Sequence, residues 1–224
     1  MNLPKAKSTS KKFYGKWLYK ITLTVKGSAM FRSNSLTDVI KYCDDNTTVY
    51  SQFSYAGRSL PHRPQLKKIA EFLQGFEADS WSTRIESEQI DFYSNDKSLY
   101  DALSLQFASD IIHRFEPIAG SEDQLESANT ILVKKLPHKK YNFRVYLLPH
   151  KMANDKEGKK KYTDWLKQQD KITCTPAIEH WFYNTDWNWD RRYVLVEDEQ
   201  TLLMLKLRNS EVVGRIYKFV ISDK

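Results

Sequence analysis

The sequence predicts an α+β fold made of small, mostly antiparallel sheets with helices on one face. Two kinds of segment alternate along the chain. Residues 16–25 have an apolar residue at every second position, which predicts a half-buried strand. Residues 64–73 have apolar residues three or four positions apart, which predicts an amphipathic helix. Alternation of such strands and helices favours the α+β class.

The N-terminal half, residues 13–116, contains the clearest strand signal. In KWLYKITLTV, one face carries the alternating residues Trp17, Tyr19, Ile21, Leu23 and Val25. Ser35 and Asp38 have the spacing of a capping box and predict the start of a helix.

Four further elements are predicted in this half. A strand is predicted around Thr48–Tyr55. Pro64 favours the first turn of a helix that ends near Gly75. Residues 81–93 predict a hairpin, and Asp96 can cap the helix that follows it.

The C-terminal half, residues 130–224, opens with TILVKKLPHKKYNFRVYLLPHKM, which predicts a hairpin of two strands joined by the basic turn LPHKK. A basic helix over residues 155–169 follows, then a short strand ITCT and a helix begun by Thr175 and Pro176. YVLV, TLLMLKLR and VVGRIYKFVI predict a closing strand, helix and strand.

The remaining segments predict a mobile basic arm at residues 1–12 and a linker at residues 117–129. One pattern, a strand followed by a short polar turn and a helix, occurs in FRSNSLTDVI, FYSNDKSLYDAL and LVEDEQTLLML. It has two interpretations. It is either the usual chemistry of strand-to-helix turns or the trace of two related β–α halves.

Composition limits the class of protein. No apolar run approaches the ~20 residues that span a bilayer, and because residues 1–12 have no apolar core we expect no secretory signal there. Cys43 and Cys174 are isolated, which predicts neither a disulfide framework nor a metal site and favours a cytoplasmic location. The chain has no glycine-rich phosphate loop, GxSxG, HExxH or CxxC motif, so we predict no cofactor, and a non-enzymatic role is favoured.

The positive charge is concentrated in residues 134–161. Nine lysines and one arginine against two acidic residues give this segment a charge of +8, whereas the whole chain carries +7. Clustered cations favour a nucleic-acid partner because they bind phosphates and release counterions. The predicted nucleic-acid-binding lysines are Lys134, Lys135, Lys139, Lys140, Lys151, Lys159, Lys160 and Lys161. Together with the N-terminal arm, we expect them to line one groove.

Alternation also places Arg144 and Tyr146 on one strand face, opposite Phe143. A cation beside an aromatic ring is typical of sheets that bind single-stranded RNA or single-stranded DNA by stacking. The alternatives are a solvated strand face and a second core layer that includes Tyr146.

NTDWNWDRR supplies the candidate interface residues Trp187, Trp189, Arg191 and Arg192, since tryptophan and arginine often anchor interfaces. The alternative is that the tryptophans pin this loop to the core. His138 and His150 flank the central strand and raise the hypothesis of a metal-independent nuclease. The extended chain separates them widely, so we expect no RNA cleavage.

YNFRVYLLPHK and RRYVLVEDEQTLLMLKLRN resemble segments of small, mostly uncharacterised viral proteins of about this length, such as those of marine phages. The resemblance covers the C-terminal half. It implies a viral accessory or structural protein made in the host cytoplasm, and it transfers no catalytic residue. The sequence therefore predicts a non-enzymatic protein that binds RNA or single-stranded DNA. The alternative is a structural or assembly subunit that contacts copies of itself or another viral protein, and no membrane contact is expected.

Overall fold

The structure, a computed structural model, describes residues 3–32, 35–45, 61–125, 129–148, 151–152, 156–175, 178 and 193–222. The chain divides into two compact units, Met1–Glu122 and Asp123–Lys224. Each unit has a five-stranded sheet with helices, which confirms the predicted α+β class. Within these residues no helix combines the length and the apolar character needed to cross a membrane.

The first unit has strand order β1-β5-β2-β4-β3, in which only β1 and β5 pair in parallel. Its strands are β1 (Lys7–Thr9), β2 (Tyr19–Thr24), β3 (Trp81–Glu86), β4 (Gln89–Ser94) and β5 (Ile111–Pro117). Its described helices are α1 (Leu36–Asp44), α2 (Arg63–Gln74) and α3 (Lys97–Gln106).

The second unit has strand order β6-β10-β7-β9-β8, in which only β6 and β10 pair in parallel. Its strands are β6 (Thr130–Val133), β7 (Phe143–Leu147), β8 (Ile172–Cys174), β9 (Tyr193–Val196) and β10 (Val213–Ile221). Its described helices are α4 (Lys156–Lys167) and α5 (Glu199–Arg208).

The two sheets have the same layout, strand for strand, and both contain the β–α–β–β–α–β order of the split β–α–β motif. Lys20 pairs with Tyr93 and Phe115 on its two sides, and Arg144 pairs with Leu195 and Tyr217. Lys20 of the first unit therefore corresponds to Arg144 of the second.

The correspondence extends to the helix between these strands. Asp96 caps α3 and Asp198 caps α5, and one constant offset relates β4, α3 and β5 to β9, α5 and β10. The patterns FYSNDKSLYDAL and LVEDEQTLLML therefore occupy equivalent positions, whereas FRSNSLTDVI runs from a short 3-10 helix, Ser28–Arg32, into α1 and does not begin in a strand. The interpretation as two related β–α halves is confirmed.

The turns that lead into β2 and β7 also match. Each has two consecutive residues in the left-handed region, Tyr14 and Gly15 in the first unit, and His138 and Lys139 in the second. The backbone N–H of Trp17 donates to the Phe13 carbonyl at 3.0 Å, and the N–H of Tyr141 donates to the Pro137 carbonyl at 3.2 Å. The halves therefore share a backbone design down to individual hydrogen bonds.

The helices of each unit pack on one sheet face and enclose its main core. In the first unit this core joins β2 and β4 to α1, α2 and α3, and in the second it joins β7 and β9 to α4 and α5. The predicted caps form. Ser35 and Asp38 make a capping box at α1. At α5, the ion pair with Lys171 and the bond from the Thr201 N–H lower the pKa of Asp198 to about 2.

The predicted hairpin of residues 130–152 is wrong, because β6 and β7 are not neighbours. β10 lies between them and pairs with both. The long apolar strand β10 has N–H and C=O groups to pair on both of its edges, and β6 and β7 supply the partners. If β6 paired directly with β7, an edge of β10 would stay unpaired. The basic turn therefore connects two strands across an intervening one.

The predicted mobile arm needs a correction as well, since Lys7–Thr9 forms β1 on the edge of the first sheet. Three residues are too few for alternation to signal a strand. The boundary between the units falls at residues 122 and 123, within the predicted linker. The strand predicted at Thr48–Tyr55 lies outside the described residues, as does most of the helix predicted to begin at Thr175 and Pro176.

Candidate nucleic-acid interface

The second sheet has one face without helices in the described part of the chain. Phe143, Val145 and Leu147 point toward α4 and α5, whereas Arg144 and Tyr146 point to the other side. Neighbouring strands add residues to that side through their register. We call it the aromatic face and define it by Arg144, Tyr146, Tyr193, Arg215, Tyr217 and Phe219.

Three tyrosines from three adjacent strands form the centre of the aromatic face. The Tyr146 ring centroid lies 5.7 Å from that of Tyr193 and 5.9 Å from that of Tyr217. Tyr217 is buried, with 4% of its surface exposed, whereas Tyr146 and Tyr193 are half-buried. Tyr146 and Tyr193 can therefore offer ring surface to a ligand while Tyr217 supports them from within.

Arg144 lies among these rings. Its guanidinium carbon is 4.5 Å from the Tyr193 ring centroid and 5.4 Å from that of Phe219. Its Nε is buried and has no hydrogen-bond partner. Within the described residues Arg144 forms no ion pair, so a positive charge with open donor positions sits beside partly exposed rings.

The corresponding place in the first unit is neutralised internally. Lys20 Nζ lies 2.8 Å from Asp91 Oδ2. The Thr22 hydroxyl donates to the same carboxylate at 2.6 Å, and the Tyr93 hydroxyl donates at 3.0 Å. The pKa of the Tyr93 hydroxyl is raised, mainly because the side chain is buried.

The register identifies the residue that makes this difference. Asp91 pairs with Thr22 in the first sheet, and at the same position of the second sheet Tyr193 pairs with Tyr146. The second unit thus has an aromatic ring where the first has the carboxylate. This substitution leaves the Arg144 cation without the partner that Lys20 has.

The first sheet is also covered by its own chain. The Phe13 ring centroid lies 5.7 Å from that of Tyr93 and 5.8 Å from that of Phe115, and the Tyr14 ring lies 5.2 Å from that of Tyr93. Lys20 Nζ lies within 6.0 Å of the Phe13, Tyr93 and Phe115 centroids. The cation of the first unit is therefore enclosed by rings and by its carboxylate.

In the second unit the matching turn also packs on the sheet. Buried Tyr141 joins Leu195, Tyr217 and Phe219 in a second core cluster, and Tyr146 packs against it, as the alternative of a second core layer predicted. Tyr141 is buried and its hydroxyl bonds with the Thr173 hydroxyl, but Tyr146 and Tyr193 stay half-buried. The same turn holds the non-glycine residues His138 and Lys139 at φ 49° and 64°. Left-handed backbone at such residues is strained, and strain of this kind concentrates at functional sites.

The lysines of this turn lie at the end of the sheet where β7 begins. Lys134, Lys135 and Lys139 are exposed, and their ammonium groups have no acidic partner among the described residues. Lys140 differs, because its Nζ lies 3.2 Å from Glu197 Oε2 and donates to the Asp170 carbonyl at 3.3 Å. Within the described part of the chain, three of the four predicted turn lysines therefore have no acidic partner.

The lysines beyond β7 are placed differently. Lys151 follows the end of the strand and Lys160 lies on α4, both exposed. Lys161 pairs with Glu157 at 2.7 Å. Lys159 corrects the sequence prediction, since only 7% of it is exposed. Helical spacing places Lys159 on the inner side of α4 with Tyr162, Thr163 and Leu166.

The prediction of one groove lined by all these lysines is wrong for the second unit. The turn precedes β7 and α4 follows it, so the two groups start from opposite ends of that strand. α4 also packs on the helix-covered face, away from Arg144 and Tyr146. Only the turn lysines share an end of the sheet with Arg144.

Sequence reasoning named Arg144 and Tyr146 but missed Tyr193, Arg215, Tyr217 and Phe219. The alternation of RIYKF in β10 carries a signal for three of them, because Arg215, Tyr217 and Phe219 share one parity. Arg215 also donates to the Tyr217 hydroxyl at 3.0 Å. Placing these residues beside Tyr146 also requires knowing that β10 lies next to β7. No local sequence pattern indicates that pairing.

Several predicted residues lie outside the described part of the chain. These are His150 and the interface candidates Trp187, Trp189, Arg191 and Arg192. The nuclease hypothesis for His138 and His150 and the interface hypothesis therefore stay predictions. Among the described residues, no group of three or more histidine, cysteine or acidic side chains could hold a metal ion.

Comparison with known proteins adds no relative. No protein-family model matches the chain, no curated protein matches it, and no solved structure matches it. The viral origin implied by the sequence resemblance stays a prediction, as does the cytoplasmic location. The functional argument therefore depends on the geometry of the aromatic face.

Proposed function

We propose that this protein is a non-enzymatic nucleic-acid-binding protein that holds single-stranded RNA or DNA on the aromatic face of its second unit. The observation that carries the proposal is Arg144, a cation that has no acidic partner among the described residues and that stacks on Tyr193 and Phe219 beside the half-buried Tyr146. A ligand that offers both a flat base and a phosphate satisfies both parts of this site.

The rings favour a single strand over a duplex. Bases in a duplex are already stacked on each other, whereas unpaired bases can stack on aromatic side chains. Such stacking stabilises binding by roughly 1–3 kcal/mol per base and tolerates any sequence. Tyr146 and Tyr193, from adjacent strands with ring centroids 5.7 Å apart, are suited to this role.

The cations around the rings provide the phosphate contacts. The half-buried Arg144 can use its terminal N–H groups, and an arginine–phosphate contact is charge-assisted. Lys134, Lys135 and Lys139, which have no described acidic partner, add positive charge where β7 begins, near Arg144. The path of the strand therefore runs from the basic turn across the tyrosines.

A titration of the full chain with labelled single-stranded RNA, single-stranded DNA and duplex DNA, followed by fluorescence anisotropy, tests this function. We expect both single strands to bind at low salt more tightly than the duplex. The logarithm of the binding constant should fall with the logarithm of the salt concentration, with a slope near −0.7 per phosphate contact. Arg144→Gln is expected to weaken binding at least tenfold, because a charge-assisted contact is lost.

Lys160→Gln is the matched control, since it removes one positive charge from an exposed position on the opposite side of the sheet. It should change the affinity by no more than about twofold, as expected for a distant charge screened by salt. Absence of binding to any single strand at low salt would contradict the proposal. Equal losses in Arg144→Gln and Lys160→Gln would show that only net charge matters.

A further inference from the structure

The first unit has an open cleft of about 600 Å³ at the end of its sheet where β2 ends and β5 begins. The sheet contributes Thr24 and Ile112 to its walls, and the start of α2 contributes His62, Gln65 and Lys68. The Gln65 side-chain amide donates to the Thr24 carbonyl at 3.2 Å and joins the two walls. Ligand sites of proteins are clefts of roughly this size.

The second unit shows that the fold does not require polar residues at this place. The Thr24 N–H donates to the Asp110 carbonyl at 2.9 Å, and the Leu148 N–H donates to the Val212 carbonyl at 2.8 Å, so these two pairs are equivalent. Val212 is fully buried in the core of the second unit, whereas Asp110 lines the cleft. The polar pair is therefore a feature of the cleft and not of the shared fold.

A β-bulge shapes the floor of the cleft. Ile112 is the extra residue of β5 where its register with β2 shifts, and the constant offset between the halves places Gly214 there in β10. A Cβ at Gly214 would lie 3.1 Å from Leu148 Cγ, so Leu148 packs directly on that glycine. In the first unit the shorter Thr24 replaces Leu148, and Ile112 lines the cleft instead. Bulges often re-aim side chains next to functional sites.

Three nitrogen groups give the cleft its donors. Lys26 and Lys68 are exposed, and neither ammonium group has an acidic partner among the described residues. The Lys68 ammonium donates to the Gln106 carbonyl at 3.4 Å, a contact that does not neutralise its charge. His62 Nδ1 accepts from the Gln65 N–H at 3.3 Å, so the neutral ring carries its proton on Nε2 and can donate it.

The charges of the cleft favour an anion. Asp110 is the one acidic residue among its described lining residues, so the two lysines leave the cleft positively charged. A phosphate group has a charge of about −1.5 to −2 and three acceptor oxygens, which suit two ammonium groups and an N–H donor.

We infer that the cleft between α2, β2 and β5 binds the phosphate group of a small molecule. A free phosphate ion fills only part of about 600 Å³, and a phosphorylated organic molecule can also place its carbon skeleton against Ile112. The inference does not depend on the nucleic-acid proposal, because the cleft belongs to the first unit and the aromatic face to the second.

A heteronuclear NMR titration of the ¹⁵N-labelled full chain with inorganic phosphate and with ribose 5-phosphate tests the inference. Ribose 5-phosphate has no base that could stack on the aromatic face. We expect amide shifts to concentrate at residues 24–26, 62–68 and 109–112, with a dissociation constant of about 1 mM because the cleft is open to solvent. Tighter binding of ribose 5-phosphate identifies an organic phosphate as the ligand, and equal affinity identifies free phosphate. Ribose, and sodium chloride at matched ionic strength, should leave these amides unchanged.

Four variants test the roles of the charges. Lys26→Gln and Lys68→Gln should each raise the dissociation constant about fivefold, because each removes one ammonium contact. Lys16→Gln is the matched control, since it removes an exposed lysine charge of the same unit before the opposite end of β2, and it should change affinity by no more than about twofold. Asp110→Asn removes the negative charge from the cleft and should strengthen binding about threefold.

Three results would overturn the inference. The first is the absence of phosphate-dependent shifts at residues 24–26, 62–68 and 109–112. The second is weaker binding in Asp110→Asn, and the third is an equal loss of affinity in Lys16→Gln and Lys26→Gln. Circular dichroism of the lysine variants should match the wild type, because the altered side chains are exposed.

Discussion

The variant Tyr193→Asp is expected to lose nearly all affinity for single-stranded nucleic acid. It gives the second unit the carboxylate that the first unit has at Asp91, where the Lys20 ammonium is bound at 2.8 Å. An aspartate at this position would both neutralise the charge of Arg144 and remove a ring on which a base can stack. A charge-assisted contact and one stacked base are each worth roughly 1–3 kcal/mol, so the dissociation constant should rise by about two orders of magnitude.

Tyr193→Leu separates the two effects, since it removes the ring without adding a carboxylate. We expect it to weaken binding by about tenfold, the cost of one stacked base. Anisotropy titrations of both variants under one salt condition provide the comparison. If Tyr193→Asp binds as well as Tyr193→Leu, then Arg144 is not the phosphate contact.

The second large effect concerns the stability of the first unit. The side chains of Lys20 and Asp91 are only 19% and 12% exposed, and the Thr22 and Tyr93 hydroxyls donate to the same carboxylate. Asp91→Ala leaves the Lys20 ammonium without its anion beneath Phe13. We expect the free energy of unfolding to fall by about 3 kcal/mol, since breaking a buried pair strands the other charge.

Urea denaturation provides the measurement. The double variant Lys20→Met/Asp91→Leu removes both charges and should recover most of the lost stability, because apolar side chains of similar volume can replace a buried ion pair. If the free energy of unfolding falls as much in the double variant as in Asp91→Ala, the lost hydroxyl contacts, rather than the unpaired Lys20 charge, cause the destabilisation.

Local sequence patterns predicted most of the elements correctly. The alternation of Tyr19, Ile21 and Leu23 predicted β2, and Ser35 with Asp38 predicted the start of α1. These signals are local, because caps and periodicity depend on residues only a few positions apart. Alternation placed Arg144 and Tyr146 on one side of β7, and they lie there in the structure.

Long-range pairing could not be predicted in the same way. The insertion of β10 between β6 and β7 joins residues about 80 positions apart, and no local pattern encodes it. The same limit hid the aromatic face, which combines Tyr146 with Tyr193 and Tyr217 from two other strands. Strand register is set by the whole sheet, so the ring cluster became visible only with the sheet order.

The two related halves could be predicted only in part, for a different reason. The halves match in backbone hydrogen bonds and cap positions, but matched side chains often differ in chemistry. Asp91 corresponds to Tyr193, and only the charge is shared between Lys20 and Arg144. A repeat that preserves register rather than residue type is difficult to detect in a sequence. The differences between the halves are the features that locate the candidate site.

Ultraviolet cross-linking of the full chain to single-stranded RNA and DNA, followed by mass spectrometry of the peptides, tests the central claim most directly. Aromatic rings that stack on bases lie close enough to form adducts. We predict adducts at Tyr146 and Tyr193 in the second unit, and their loss in Tyr193→Asp. Adducts confined to α4 or to the first unit, with none on the aromatic face, would contradict the account.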